Sequence, residues 1–145
     1  MIRTALALRT LALAFWFGGG IATFLATSGV FARTKDRKLA GDLAGEILSR
    51  TGFARSIAFL PALFPVTIGA SDRATVMAFF CALLQGVAVI VDELTRRARR
   101  AAEGGIDALP PGDPRHRRFA ALHGVAMLVL LLQVLAAGVG LALAS

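Results

Sequence analysis

The side chains that could do chemistry inside an apolar setting are His123, Gln85, Gln133 and Cys81 within hydrophobic runs, with Asp92 and Glu93 where one run ends. A histidine beside two carboxylates could hold a metal or relay a proton, since imidazole titrates near neutrality and both groups ligate divalent ions. The only other histidine, His116, is seven residues earlier, about 10 Å along the same helix, too far to share one metal. An axial haem pair needs histidines on two membrane helices, and the sequence does not supply them. Nor does it contain a Ser-His-Asp set, a phosphate-binding glycine loop or a zinc Cys/His cluster. The candidate polar site is therefore His123 with Asp92, Glu93, Gln85 and Gln133, with no metal, no cofactor and no catalytic residue expected. Gln85, Gln133 and His123 each cost free energy in lipid unless paired, so they should face the interior of a bundle and hydrogen-bond between helices. Cys81, the single cysteine, cannot form an intramolecular disulfide and reads as a small packing residue.

The elements that must position these residues follow from where the apolar residues fall. The chain has 145 residues, 57% of them hydrophobic. A membrane helix needs about 20 predominantly apolar residues. Residues 11–31, 56–70, 74–91 and 119–144 carry no formal charge, and only His123 and Gln133 interrupt the last. The expected fold is all-α: an integral membrane four-helix bundle in one domain, 1–145, with spans at about 6–31, 51–70, 74–91 and 119–144. Since the second apolar run is short, its helix must begin near Thr51. Arg55 is then about a turn inside and is expected to extend to the headgroups; a buried functional arginine is the rival reading.

Charge sets the orientation. Lys and Arg number 16 against 9 acidic residues, and twelve of the basic ones lie in two segments, 32–50 and 92–118. Only Arg3, Arg9, Arg73 and Arg55 lie elsewhere. By the positive-inside rule both long loops are cytoplasmic and both termini face out, as in a multi-pass protein of a bacterial inner membrane. A cleaved signal peptide is disfavoured, because its apolar core would be about 7–15 residues, shorter than the run from Leu11. The basic loops lack the interleaved aromatic residues of a nucleic-acid surface, so nucleic acid is not an expected partner. Anionic lipids at the cytoplasmic face are.

The first loop carries Lys38, Asp42, Glu46 and Arg50 on one helical face and Leu39, Leu43, Ile47 and Leu48 on another. An amphipathic helix at the interface between spans one and two is expected there. The third span should continue as a charged stem, through the pairs Asp92 with Arg96 and Glu93 with Arg97, to about Glu103, where Gly104 and Gly105 end it. Asp113 before Pro114 reads as a helix cap and first position. In span two, Pro61 and Pro65 leave the carbonyls of Ile57 and Pro61 without partners. A fixed kink is expected, and a hinge lining a transport path is the sharper alternative.

In FWFGGGIATF, residues 15–24, glycines sit within large apolar residues. Ala14, Gly18, Ala22 and Ala26, beside Gly19 and Thr23, form a small-residue strip that allows close helix approach in lipid. Ala78, Ala82 and Gly86 repeat it in span three, and Ala136, Gly140 and Ala144 in span four. Packing of the first strip on another span of the same chain is expected.

FWFGGGIATFLATSGVF, LAGDLAGEIL and RFAALHGVAMLVLL together resemble the transmembrane protein 205-like family of four-span proteins, over most of the chain and in the same order. The matching positions are Gly18, Gly19, Thr23, Phe24, Ala40, Gly41, Phe119, His123 and Gly124. Ala126 and Leu130 depart from the Ser and Asn often found after the His-Gly of that family. The resemblance implies an integral membrane protein of unassigned activity. From the residues themselves, the leading functional reading is a non-enzymatic accessory or interaction subunit, as a homo-oligomer or with a membrane protein partner. A small oligomeric transporter or channel for ions or small solutes is the alternative, and a metal- or haem-dependent redox protein the third.

Overall fold

The computed structural model describes residues 2–101, 106, 109–110 and 112–145, with Arg37 and Lys38 described by backbone alone. The described residues are helical, with no strand among them. Five helices follow in order: α1 Ile2–Arg33, α2 Arg37–Ser56, α3 Phe59–Thr67, α4 Arg73–Arg100 and α5 Pro114–Ala142. Three of them, α1, α4 and α5, are long and apolar enough to cross a membrane. α4 and α5 lie side by side, α1 packs against α5, and α2 and α3 pack against α1.

The stretch expected as the second span is divided. α2 runs without interruption from the loop segment to Ser56, the chain turns at Ile57 and Ala58, and α3 has only nine residues. Pro61 explains where the break falls. It has no amide to give the carbonyl of Ile57, and its ring crowds that carbonyl, so a continuous helix is disfavoured at that point. In the first turn of a new helix the missing N–H costs nothing, since the amides there have no intrahelical acceptor. Three-residue hydrogen bonds close the turn, Ile57 N to Ala54 O at 3.1 Å and Ala58 N to Arg55 O at 3.2 Å. Pro65 lies within α3.

The helix ends follow local chemistry. The Asp72 carboxylate caps α4 by accepting from the amides of Ala74 and Thr75 at 3.1 and 3.2 Å. Asp113 caps α5 by accepting from Arg115 N at 2.8 Å, with Pro114 in the first turn. The side chain and amide of Arg115 hold the Asp113 carboxyl down to about 2. The expected stem of α4 is present, with Arg96 on Asp92 at 3.4 Å and Arg97 on Glu93 at 2.8 Å. The helix ends at Arg100; Glu103, Gly104 and Gly105 lie outside the described residues.

The core uses a different face of α1 from the one the small-residue strip marks. Ala14, Gly18, Ala22 and Ala26 are exposed, and a Cβ built at Gly18 meets nothing within 4 Å. Among the described residues no other helix packs on that strip at Gly18. The buried face is Ala5, Arg9, Ala12, Leu13, Trp16, Gly20, Thr23 and Thr27. Close approach occurs at Gly20, where an added Cβ would run into the Val134 side chain of α5. It recurs at Gly140, where a Cβ would lie 2.9 Å from Leu13 and 3.0 Å from Met77. Gly19 is intermediate and faces the Arg55 side chain, whose Cγ a Cβ would meet at 3.7 Å. In α4, Ala78 and Ala82 are in the core as expected, while Gly86 has open space around it.

At the terminal end of α1, Arg9 is 5% exposed. Its Nη1 donates to Asp72 at 2.6 Å and to Thr75 Oγ1 at 3.0 Å, and Thr75 Oγ1 donates to the second Asp72 oxygen at 2.8 Å. One carboxylate thus caps α4 and ties it to α1. The Arg9 Nε is buried without a hydrogen-bond partner among the described residues.

Candidate functional site

The break between α2 and α3 frees the backbone around Arg55 and fixes its side chain. The Arg55 carbonyl accepts from the indole of Trp16, Nε1 to O 3.0 Å. The Arg55 guanidinium turns into the bundle, its Nη1 donating to Gln133 Oε1 on α5 at 3.1 Å. Its Nε lies 3.4 Å from the Thr51 carbonyl. Arg55 is only 5% exposed. The expectation that it extends to the lipid headgroups is therefore corrected. Once the helix breaks at 57–58, a polar partner on α5 lies within reach, and a buried guanidinium goes to such a partner.

Gln133 and Gln85, both fully buried, extend this contact into a network. Gln133 Nε2 donates to Gln85 Oε1 and to the Cys81 carbonyl, each at 3.1 Å. Gln85 Nε2 donates to Ser56 Oγ at 3.0 Å and to the Gly52 carbonyl at 3.2 Å. The two glutamines join α2, α4 and α5, the interior interhelical pairing their polarity demanded. Cys81 packs among them with its Sγ 3.7 Å from the Gln133 carbonyl. The arrangement leaves the guanidinium little rotational freedom. It also leaves Nη2 with no hydrogen bond among the described residues.

Arg55 forms part of the wall of a cavity of about 1230 Å³ between α1, α2, α4 and α5. Phe24, Thr27, Ser28, Ala126, Met127 and Leu130 line its middle, and Asp42, Glu46, Arg50, Asp92, Arg96 and Arg99 the end toward the charged loops. Arg99 spans that end. Its Nη1 lies 3.8 Å from Asp42 on α2, and its guanidinium sits 5.6 Å from the centre of the Phe119 ring on α5, within cation–π range.

The sequence-derived polar site comes together only in part. Gln85, Asp92 and His123 line this cavity, and Gln133 touches it through Arg55. Glu93 does not line it and pairs with Arg96 and Arg97 instead. Those arginines hold its carboxyl below the usual range, the hydrogen bond from Arg97 first among the causes. His123 is exposed and stacked on Phe119 with ring centres 6.4 Å apart. Among the described residues no three His, Cys, Asp or Glu side chains are grouped to hold a metal ion. The residues not singled out from the sequence as a site are Arg55, Trp16 and Ser56. Thr51, Arg55 and Ser56, polar residues within five positions at the start of an apolar run, are the signal that could have found the last two of them.

No family model, no curated protein and no solved structure matches the chain.

Proposed function

We propose that the protein is a four-span membrane protein that binds a small solute in the cavity beside Arg55 and passes it across the bilayer, the transporter reading rather than the accessory one. The single observation that carries it is the buried guanidinium facing a cavity of about 1230 Å³. A charge in hydrocarbon is costly and is rarely retained without a functional partner. A helix that breaks beside a binding cavity, as α2 and α3 do, is the arrangement transporters use to place side chains and backbone at mid-depth.

In this reading the fourth crossing is made by α2 and α3 together. The nine residues of α3 extend about 14 Å at 1.5 Å per residue, half of a hydrocarbon core about 30 Å thick. The last turns of α2 supply the rest. The basic residues of 32–50 and 92–118 put the cavity mouth on the cytoplasmic side of a bacterial inner membrane, with both termini outside. The first part of α2 lies along that interface, where Leu39 and Leu43 are exposed on its outer surface, and the surrounding arginines favour anionic lipids. The opposite end is closed by Gly140 against Leu13 and by Arg9 on Asp72.

Reconstituted into liposomes, the full chain is expected to exchange at least one class of small organic anion, cation or neutral solute faster than protein-free liposomes do. Exchange no faster than the protein-free background for every class, with the bundle folded, contradicts the reading. The exposed strip Ala14, Gly18, Ala22 and Ala26 favours one addition. Small strips in lipid promote helix association, so a second copy of the chain is a natural partner for that face.

A further inference from the structure

We propose that the cavity takes an organic monocarboxylate with an apolar body, its carboxylate held by Arg55 and its body by the wall formed by Phe24, Ala126, Met127 and Leu130. This rests on the solute-binding reading above and names the class of solute.

Three features converge on that chemistry. The first is the geometry of the donor. A guanidinium presents a planar fork whose N–H groups match the two oxygens of a carboxylate. Here Nη1 donates to Gln133 Oε1 at 3.1 Å and Nε to the Thr51 carbonyl at 3.4 Å, and the two N–H groups of Nη2 have no partner among the described residues. Gln133 is itself held by Gln85 and by the Cys81 carbonyl, and Gln85 by Ser56. The donor is thus set in place before a ligand arrives, which lowers the entropy lost on binding.

The second is the charge balance. Within the inner part of the cavity Arg55 is the one formal cation among the described residues. Asp92, the acidic side chain whose field acts on Arg55, is engaged by Arg96 at 3.4 Å. Arg99 at the mouth faces Asp42. One positive charge without an ion-pair partner among the described residues suits one negative charge. A phosphate dianion would leave one of its charges uncompensated beside the single guanidinium. A neutral solute could accept from Nη2 but would leave the guanidinium charge uncompensated, and a charge-assisted hydrogen bond is the stronger one.

The third is the wall. On the α1 and α5 side the lining beside Arg55 is aromatic and aliphatic, Phe24, Ala126, Met127 and Leu130, with Thr27 and Ser28 as the hydroxyls on α1. Ser49, Ser56, Gln85 and Thr95 line the α2 and α4 side. The Thr27 hydroxyl proton is already committed to the carbonyls of Thr23 and Phe24, at 2.9 and 3.1 Å, which leaves only its acceptor lone pairs. On the α1 and α5 side a sugar or an amino acid would find few partners for its polar groups. A volume of about 1230 Å³ exceeds the range of about 300–1,000 Å³ common for small-ligand pockets, so an apolar body and some water fit together.

Trp16, the one tryptophan of the chain, donates to the Arg55 carbonyl and reports on the site. The test uses the full chain in phosphatidylcholine nanodiscs, with empty nanodiscs as background. Binding of radiolabelled benzoate is measured by equilibrium dialysis, and Trp16 fluorescence is followed in the same samples. Benzamide and inorganic phosphate serve as competitors.

Benzoate is expected to bind saturably and to change Trp16 emission, with benzamide and phosphate at least tenfold weaker. Arg55→Gln should weaken benzoate at least tenfold, and Arg55→Lys severalfold, since it keeps the charge and loses the fork. Ala126→Phe, which fills the wall without touching the Arg55 network, should weaken it too. That variant and Arg55→Lys carry the test if Arg55→Gln does not fold. Benzamide binding as tightly as benzoate, with Arg55→Gln indifferent to both, overturns the carboxylate assignment and leaves the solute-binding reading standing. Phosphate binding more tightly than benzoate overturns the monoanion. Neither benzoate nor benzamide nor phosphate binding to folded wild-type protein overturns the proposal, and the flux panel then decides separately whether the broader reading goes with it.

Discussion

Gly20→Leu is expected to destabilise the bundle by roughly 3 kcal/mol, the upper end of what overpacking costs, while Gly18→Leu changes it by less than about 0.5 kcal/mol. At Gly20 a Cβ alone already collides with Val134 of α5 and lies 3.6 Å from Leu130, so a full leucine must push α1 and α5 apart. Gly18, two residues earlier, looks into open space. Leucine is also a better helix former than glycine by several tenths of a kcal/mol, which offsets any small loss there. Unfolding of the purified monomer by SDS titration measures both. Equal losses at the two positions would contradict the packing of α1 on α5. A Gly18→Leu variant that keeps monomer stability but loses self-association, read by crosslinking, would assign the exposed strip to a second copy.

This pair also marks what the sequence could and could not reveal. A helix surrounded by lipid is apolar on every face, so the contrast that identifies the core face of a soluble helix is missing. The four-residue spacing of Ala14, Gly18, Ala22 and Ala26 is the most regular feature of α1, yet it lies on the outer surface. The face that packs, Leu13, Trp16, Gly20 and Thr23, also recurs at steps of three and four, but it mixes sizes and polarity to fit its neighbours, so no shared residue type singles it out. Caps and stems were legible because they are local: Asp113 before Pro114, and the four-residue charge pairs of α4. Gln85 and Gln133 were legible as interior because of what their polarity costs in lipid. Arg55 was not, since its partner is 78 positions away and its direction depends on the break at Ile57 and Ala58. The prolines announced a bend, but not that α2 would run unbroken from the loop segment into the bundle.

Asp72→Ala should cost about 3 kcal/mol at neutral pH, the second large effect. Loss of the α4 cap accounts for about 1 kcal/mol. Leaving the Arg9 guanidinium without its carboxylate accounts for the rest. Breaking a fully buried pair costs about 3–5 kcal/mol; the Asp72 side chain is 49% exposed, so solvent screening cuts this to about 2 kcal/mol. Asp72→Asn, which keeps a capping oxygen, should lose less. The pH dependence has a defined sign. Partial burial pushes the Asp72 carboxyl up, but the hydroxyl and amide of Thr75, Arg9 and the amide of Ala74 outweigh it, and the folded value lies below the usual one. The stabilisation is present above the unfolded value of about 3.9 and is lost as pH falls through the depressed folded value. Wild-type protein should therefore weaken below about pH 4, and Asp72→Asn should not show that step. SDS titrations at pH 7 and in acid compare them, and identical acid sensitivity in the two proteins would remove Asp72 from the account of this end.

Both ends of the bundle bear on how a solute would move. One is closed by the Arg9 and Asp72 contact and by the tight crossing at Gly140. The other holds the cavity, spanned at its mouth by Arg99. In the transporter reading a path to the far side would need Arg9 to leave Asp72, and the Arg9 Nε, unpartnered among the described residues, leaves this contact not fully satisfied on the arginine side. Loss of the capping carboxylate thus bears on both stability and closure.

Side-specific thiol labelling tests the cavity most directly. Ser28→Cys and Ala126→Cys are introduced singly, each with Cys81→Ala, and Ala22→Cys on the outer surface of α1 serves as the lipid-facing control. A membrane-impermeant maleimide should react at Ser28→Cys and Ala126→Cys in inside-out vesicles, should spare both in right-side-out vesicles, and should leave Ala22→Cys unreacted in either. Reaction at positions 28 and 126 no faster than at Ala22→Cys, or from the opposite side only, would contradict a water-filled cavity that opens toward the charged loops.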